Sequence, residues 1–468
     1  MNYLFLFFWY GLLSSSIYLI YTILTTMDKL SLSMVFETNH LFERVWILPF
    51  YVFSGIIYFI INKTGEKDDG KILEMYTPEL KRKSLENTCC VIPCHKPEQN
   101  IKDNLVSLKN IFQFIFVADN DSNSEKNQEF EKFCEDNHIY YFHYDIPNKT
   151  NAIFQTVRHI KTKFDFITKI VLLDDDTVVC NDFFIREDFL KDSTTAGYTC
   201  TIGINKNKEE FHMMEHLVDF EYRTISYRNR SRNLHTLKFL HGIICVYKID
   251  ALLNIFQWNA CQPGGLPFGE DAFGGLVARN IGYRLKQDHL NVVYTYCPTQ
   301  LFPLNCWNSS NRQQGYGASS LYKQRVLRWY LSWPRRVLNE FALLFFYDTG
   351  NCIGNVLYRF DFIWYIWILS VSSWWIGILI EMCLSFENFT NFSYLHVFFY
   401  ILNIVTSYLR RLCMSKTEKE NIAWFVPFIF PFFLLILMFF YSLSFVISIF
   451  YYIPFKRINY KKCYENVK

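Results

Sequence analysis

Long apolar runs near both ends of the chain constrain its fold more than any other feature of the sequence. Residues 3–24 are almost uninterrupted apolar sequence, and about 20 such residues cross a bilayer core. No basic residue precedes Lys29, so the run lacks the basic start of a signal peptide, and we interpret it as a retained helix. A second run, 45–61, is flanked by Arg44 and Lys63, whose side chains can reach the membrane interface.

Apolar sequence returns after Asp361. Residues 362–384 and 394–409 are predicted to be membrane spans. Residues 422–453 exceed one span, so they form either one long tilted helix or a tight hairpin.

The basic residues predict how these spans are oriented. The loop at 410–420 carries four basic residues, and such loops favour the cytosolic side. The preceding loop contains two glycosylation sequons, at Asn388 and Asn391, which are typical of the opposite side. Counting back one span places the middle of the chain in the cytosol. The basic tail also favours the cytosolic side, and residues 422–453 must then cross the membrane twice, as a hairpin does. We therefore expect an integral multi-pass protein of the plasma membrane, with the Golgi and ER as alternatives.

Composition limits the functional classes to which the chain can belong. Charged residues are only 19% of the whole chain, against about 25% in soluble domains. A net charge of +3 is too near neutral for a nucleic-acid binder. Cys89, Cys90 and Cys94 lie in a β-like apolar run, so we interpret them as packing residues.

The predicted organisation is two transmembrane helices (1–62), a catalytic domain (63–322), interfacial helices (323–360), transmembrane helices (361–455) and a basic tail (456–468).

In the middle of the chain, short β-like runs alternate with segments whose apolar residues recur at helical spacing. The predicted strands are Thr88–Cys94, Phe114–Ala118, Ile139–Tyr144 and Lys169–Leu173. The predicted helices are Glu98–Ile111, Glu125–Asn137 and Ala152–Phe164. This alternation of strands and helices favours an α/β fold with a parallel sheet, in which ligands bind beyond the carboxyl ends of the strands.

Polar side chains follow each of these predicted strands. The four strands lead to His95-Lys96, Asp119–Ser122, Asn148–Asn151 and Asp174-Asp175-Asp176. A single carboxylate such as Asp119 is also a common helix N-cap. Three consecutive aspartates repel one another unless a cation or hydrogen-bond donors offset their charge. The pattern predicts a Mg²⁺ or Mn²⁺ site that also holds a diphosphate, with a solvated acidic turn as the alternative.

Several segments resemble, in order, the motifs of the family 2 glycosyltransferases, which have the GT-A fold and use nucleotide-diphosphate sugars. The segments are VIPCHKPEQNI, FVADNDSN, NKTNAI, VLLDDDT, FLHGIICVYKID, GED at residues 269–271, and RVLRW at 325–329. The similarity spans residues 87–335. It includes the hyaluronan, chitin and cellulose synthases and is greatest to fungal membrane-bound type 2 glycosyltransferases related to the hyaluronan and capsule synthases. It implies a GT-A catalytic domain inserted between transmembrane helices.

The resemblance also implies a role for each motif residue. Asp174 and Asp176 would hold the metal, with Asp174 facing the ribose or sugar. Asp271, beside Glu270, would be the general base, although it could instead cap the helix Ala272–Asn280. The implied donor-binding residues are Asp119, Lys149, Asp174 and Arg328. The implied acceptor-binding residues are Trp329, His241 and Gly242. The implied partners are a UDP-sugar, a polysaccharide or lipid acceptor, and membrane lipids.

The sequence departs from the strict Q-x-x-R-W motif. Arg325 occupies the Gln position, and Gln324 stands one residue too early, which on a helix rotates a side chain by about 100°. The variant (Q/R)-x-x-R-W fits instead, as in ceramide glucosyltransferase-like enzymes. Synthesis of a surface polysaccharide is therefore the expected function, and transfer of a single sugar to a lipid is the alternative. A transporter or scaffold with a degenerate transferase domain would be expected to have lost an acidic motif.

Overall fold

The computed structural model describes most of the middle of the chain and parts of its C-terminal third. The described residues are 59–94, 99–120, 127–145, 148–207, 209–260, 270–302, 320–330, 340, 343, 347–350, 352–359, 361, 401, 403–419 and 422–451. Outside them lie nearly all of the predicted spans 3–24, 45–61 and 362–384, half of 394–409, the sequons and the basic tail. A search of the described residues finds no helix long and apolar enough to cross a membrane.

An eight-stranded sheet forms the centre of the described structure. Its strands are β1 (Thr88–Cys94), β2 (Phe114–Asp119), β3 (Tyr140–His143), β4 (Lys169–Leu173), β5 (Val178–Val179), β6 (Thr195–Ile204), β7 (Ile244–Lys248) and β8 (Arg284–Thr295). They lie in the order β3-β2-β1-β4-β7-β6-β8-β5. β1 pairs in parallel with β2 and β4, and β3 pairs in parallel with β2. The carboxyl ends of these four strands therefore meet at one edge.

Helices connect the strands and cover the sheet. They are α1 (Pro78–Ser84), α2 (Gln99–Leu108), α3 (Gln128–Asp136), α4 (Lys149–Lys163), α5 (Glu187–Lys191), α6 (Met213–Arg232), α7 (Ile249–Ala260), α8 (Glu270–Asn280), α9 (Leu321–Gln324), α10 (Lys416–Lys419) and α11 (Val426–Tyr451). A π-helix, Arg325–Trp329, continues α9. Residues 59–75 are also helical. The α/β fold and the four predicted strands and three predicted helices are confirmed, β1 and β4 with the predicted bounds and the others with bounds shifted by one to three residues.

The prediction of a parallel sheet is correct for β1 to β4 and for the pair of β6 with β8, but not for β7 and β5. β7 runs antiparallel to both of its neighbours, β4 and β6. The physical reason lies in the connection after α6. Leu237 N–H donates to Leu285 O at the start of β8, whereas Ile243 O accepts from Asp174 N–H beyond the end of β4. Residues 233–243 thus carry the chain back across the sheet before β7 begins.

Apolar side chains pack on both faces of the sheet, and the cysteines of β1 belong to this packing. Cys90 and Cys94 point into one core, and Cys89 points into the other, as alternation along a strand requires. Burial raises the pKa of all three thiols. Their interpretation as packing residues is confirmed.

α11 extends the first of these cores with one stripe of its surface. Val426, Phe430, Phe433, Leu437 and Phe440 recur at helical spacing and are buried in it. From Val426 to Tyr451 this stretch is one continuous helix that contains Pro431, so the hairpin interpretation is not borne out.

A buried ionic network ties both flanking segments to the sheet domain. Arg230 of α6 lies 3.4 Å from Asp69 in the helical residues 59–75 and 3.3 Å from Glu418 in α10. His289 of β8 lies 3.4 Å from the same Glu418 carboxylate. Glu418 is fully buried, and burial alone would raise its pKa. The contacts with His289 and Arg230 outweigh that cost and lower the pKa of Glu418 from 4.5 to about 2.

Replacing Glu418 with Gln is expected to lower the free energy of unfolding by about 3 kcal/mol at neutral pH, because buried Arg230 would lose one of its two carboxylate partners and keep only Asp69. Since the pKa of Glu418 is lower in the folded state, its contribution is present above pH 4.5 and is lost as the pH falls towards about 2. In the Gln variant, the free energy of unfolding should not show this loss as the pH falls. Denaturant unfolding at several pH values measures it, with exposed Glu79→Gln as the matched control. Equal stability of the two variants would contradict the prediction.

Candidate active site

The candidate site forms where the end of β4 meets the start of β7. Because the two strands are antiparallel, the chain leaving β4 faces the chain entering β7. Asp174 N–H donates to Ile243 O at 3.1 Å, and the Thr177 hydroxyl donates to the same oxygen at 3.0 Å. The aspartate triplet and the predicted acceptor segment are thus bonded to each other.

Asp271 reaches the same junction from the first turn of α8. Its Oδ2 accepts from the N–H of Gly242 at 3.1 Å. A Cβ atom at Gly242 would lie 3.3 Å from that oxygen, so glycine allows the close approach. The α8 helix begins at Glu270, one residue before Asp271, and the Asp271 carboxylate bonds a segment outside the helix. The capping interpretation therefore does not account for this contact.

The three aspartates after β4 have different surroundings. Asp174 is almost fully buried, and its Oδ1 accepts from Lys149 Nζ at 2.7 Å. Asn148 caps α4 by accepting from the N–H groups of Thr150 and Asn151, which fixes Lys149 at the helix start. Lys149 thereby offsets one of the negative charges that the sequence places side by side.

Asp176 has no such cation among the described residues. Its Oδ1 accepts a long hydrogen bond of 3.4 Å from Thr295, and its Oδ2 is buried without a hydrogen-bond partner among the residues that the structure describes. Burial, followed by the negative charges of Asp174 and Asp175, raises the pKa of Asp176 well above its ordinary value. A carboxylate in this position is stabilised by a cation.

The carboxylate oxygens at this turn suit a divalent ion that also binds substrate. The described residues contain no group of three or more His, Cys, Asp or Glu side chains that could hold a metal by themselves. Mg²⁺ is usually bound by one or two carboxylates together with substrate phosphates. Asp176, with an unpaired buried oxygen, and neighbouring Asp174 therefore fit such an ion when a diphosphate supplies the remaining oxygens.

Asp119, at the end of β2, is held within the sheet. It is fully buried, and its Oδ2 accepts from the Tyr141 hydroxyl at 2.6 Å and lies 3.2 Å from His143 Nδ1. Both partners belong to β3. These contacts join the carboxyl end of β2 to β3, and on the other side Asn120 N–H donates to Cys94 O of β1. Its contact with a nucleobase stays a prediction.

The R-x-x-R-W segment approaches the same junction through α6. The Arg325 guanidinium lies 4.1 Å from the centre of the Trp329 ring and 5.8 Å from that of Tyr222. The Tyr222 ring lies edge-on to His241, with centres 6.4 Å apart. Burial, together with the charges of Arg325 and Arg232, lowers the pKa of His241 to about 4, so its ring is neutral at pH 7.

The structure thus joins six of the predicted site residues in one continuous set of contacts. These are Lys149, Asp174, His241, Gly242, Asp271 and Trp329. Asp176 follows Asp174 at the same turn. The side chains of Glu270 and Arg328 and the residues His95, Lys96, Asp121 and Ser122 lie outside the described set. Sequence reasoning missed Glu221 and Tyr222, because buried polar residues within a long helix carry no motif.

Comparisons with known proteins give partial structural similarity. No family model and no curated protein matches the sequence. A mannosyltransferase from Pyrobaculum calidifontis, in complex with GDP-Man and Mn²⁺, is 10% identical with a TM-score of 0.47, covering 84% of this chain and 99% of its own. GalNAc-T7 with UDP, GalNAc and Mn²⁺ is 13% identical with a TM-score of 0.33, covering 45% and 43%.

A third similar structure is glucosyl-3-phosphoglycerate synthase from Mycobacterium tuberculosis in complex with phosphoglyceric acid. It is 12% identical with a TM-score of 0.31, covering 49% of this chain and 78% of its own. These three structural neighbours are glycosyltransferases. Because each TM-score is below 0.5, we base the functional proposal on this chain's own strand order and side chains.

Replacing Asp176 with Asn is expected to stabilise the metal-free protein, because it removes a buried negative charge beside Asp174 and Asp175. The expected gain in the free energy of unfolding is on the order of 1 kcal/mol. Denaturant unfolding in the presence of a chelator measures it, with exposed Asp165→Asn as the matched control. A loss of stability in the Asp176 variant relative to this control would show that the carboxylate is already compensated within the protein.

Proposed function

We propose that this protein is a glycosyltransferase of the GT-A type that transfers a sugar from a UDP-sugar to a hydroxyl acceptor with the help of Mg²⁺ or Mn²⁺. The observation that carries the proposal is the meeting of two acidic motifs at one backbone segment. Ile243 O binds the turn of Asp174, and Gly242 N–H binds the carboxylate of Asp271. The order of the motifs in the sequence supports the same activity.

The donor side of the site consists of Asp174, Asp176 and Lys149. Asp176 and Asp174 would hold the divalent ion, which supplies positive charge to the departing diphosphate. Lys149 holds the Asp174 carboxylate in place and adds a further positive charge beside the diphosphate position. Arg328 is the proposed bidentate partner of the diphosphate.

Asp271 is proposed to be the general base. Its Oδ2 is held by the Gly242 N–H, so the carboxylate is fixed in orientation to accept the proton of the attacking hydroxyl. Attack of that hydroxyl at the anomeric carbon breaks the bond to the diphosphate and inverts the configuration there. The proton moves to Asp271, and the diphosphate leaves as part of UDP.

A growing surface polysaccharide is the proposed acceptor. The predicted spans on either side of the domain support a location at the cytosolic face of a membrane, where the product can be passed on. Arg325 in place of the motif glutamine favours a second candidate, which is transfer of a single sugar to a lipid.

Product analysis separates the two candidates. Membranes that contain the protein are supplied with Mn²⁺ and, separately, with labelled UDP-glucose, UDP-GlcNAc and UDP-glucuronate. A product of many sugar units supports the polysaccharide synthase, and one sugar in the lipid fraction supports the alternative. Incorporation from none of these donors would contradict both.

Replacing Asp271 with Asn is expected to abolish sugar transfer while UDP binding is retained, because the variant keeps the donor side of the site but cannot accept a proton. The loss should be at least about 10²-fold in kcat, the usual contribution of general acid–base catalysis. Transfer is measured with the labelled donor, UDP binding by calorimetry, and exposed Asp165→Asn is the control. Normal turnover of the Asp271 variant would show that another group is the base.

A further inference from the structure

The helix that carries Asp271 is bonded at its far end to residues 340–361, which come after the R-x-x-R-W segment. Arg279, in the last turn of α8, is fully buried. Its Nη2 donates to Glu340 Oε1 at 2.8 Å, and its Nη1 donates to the Tyr358 hydroxyl at 3.0 Å. The planar guanidinium thus bonds two residues of the 340–361 stretch at once, which the single ammonium of a lysine would not reproduce. The position of α8 therefore depends on that stretch.

The same stretch also holds the other side of the base junction. Asp361 is buried, its Oδ1 accepts from Arg232 Nη2 at 2.7 Å, and its Oδ2 lies 3.8 Å from Lys238 Nζ. Arg232 ends α6, and Lys238 belongs to the segment 233–243 that leads to β7. Burial lowers the pKa of Lys238 to about 8, against the charges of Asp361 and Glu340, so Lys238 is charged at pH 7.

Helix α8 and the segment before β7 touch each other at two points. Asp271 Oδ2 accepts from Gly242 N–H at 3.1 Å. One helical turn further on, a Cβ atom at Gly275 would collide with Lys238 O and would lie 2.6 Å from Phe239 Cα. The helix and the segment are therefore in backbone contact, with no room for a side chain between them. A displacement of either element would change the distance between the Asp271 carboxylate and the Gly242 N–H.

The charged groups of this region form one buried cluster, and apolar packing surrounds it. Burial lowers the pKa of His235 to about 4, so its ring is neutral at pH 7. Leu343, Tyr347 and Tyr358 pack in the same core as the apolar side of α8, and this contact does not depend on charge. Neutralising one carboxylate would leave its cationic partners buried beside other cations, which favours their displacement. The cluster consists of the cations Arg232, Lys238 and Arg279 and the carboxylates Glu340 and Asp361.

We propose that Glu340 and Asp361 are positioning residues for the proposed general base, Asp271. They hold α8 against the segment before β7, so that the Gly242 N–H meets the Asp271 carboxylate. The inference rests on the proposed function and adds two residues to the same site. Because Asp361 directly precedes the predicted span 362–384, it links the geometry of the base to the part of the chain that leads to the membrane.

Kinetics of Glu340→Gln and Asp361→Asn in the full-length protein test this assignment. The donor is whichever labelled UDP-sugar the native protein uses, and calorimetry with UDP counts the folded sites. We expect kcat per UDP-binding site to fall about 10-fold in each variant, as displacement of a catalytic group can do. The Kd for UDP should stay unchanged, because the donor-side residues are untouched. Exposed Asp348→Asn in the same stretch is the matched control, and an unchanged kcat per site in both carboxylate variants would overturn the proposal.

The pH dependence separates positioning from a merely structural role. A hydrogen bond to a carboxylate favours its charged form, so a weaker contact with the Gly242 N–H should move the acidic limb of kcat/KM to higher pH. A loss of folded protein alone would lower the whole profile without moving that limb. The measurements stay below pH 8, where Lys238 keeps its charge. A lower kcat/KM with an unmoved acidic limb would show a structural role alone and overturn the proposal.

The milder variant Tyr358→Phe decides the question if the carboxylate variants fail to fold. It keeps the packed ring and removes only the hydroxyl that accepts from Arg279. We expect kcat per UDP-binding site to fall about threefold, the usual effect of one hydrogen bond, with the acidic limb moved in the same direction. Native values of both quantities would overturn the proposal. Absence of transfer by the native protein from any donor would instead contradict the proposed function.

Discussion

The antiparallel pairing of β4 with β7 is the constraint on which the rest of the site depends. In an all-parallel sheet, the segment before β7 would enter from the opposite edge, far from the carboxyl end of β4. Here residues 233–243 return to that edge, and Ile243 O bonds the turn of Asp174. Gly242 then receives Asp271 at a distance that a side chain would crowd. One backbone segment therefore links carboxylates that are about a hundred residues apart in the sequence.

The electrostatics of this junction are unfavourable without a ligand. Lys149 compensates Asp174, but Asp176 keeps a buried oxygen without a hydrogen-bond partner among the described residues. Proteins retain such groups where binding offsets their cost, so the destabilised carboxylate is itself an indication of function. Elsewhere in the described structure a buried charge does have its partner, since Arg325 Nη2 lies 2.7 Å from Glu221 Oε2.

The sequence predicted the first half of the sheet well, because β1 to β4 are apolar runs separated by helices with clear periodicity. The family resemblance implied that Asp174 and Asp271 belong to one site, and in the structure both contact residues 242–243. The sequence could not predict the direction of β7, since strand periodicity carries no information on orientation, nor the return of residues 233–243. The Glu221–Arg325 pair was hidden because Glu221 lies in a long helix, α6, whose buried polar residues follow no motif.

We propose that a divalent ion and a nucleoside diphosphate bind together at Asp176. The most direct measurement is electron–nuclear double resonance of Mn²⁺ bound to the native protein in the presence of UDP. The account predicts phosphorus-31 coupling to the bound Mn²⁺ in the native protein and its loss in Asp176→Asn, with exposed Asp165→Asn unaffected. A spectrum without phosphorus coupling in the native protein, or one that Asp176→Asn leaves unchanged, would contradict it.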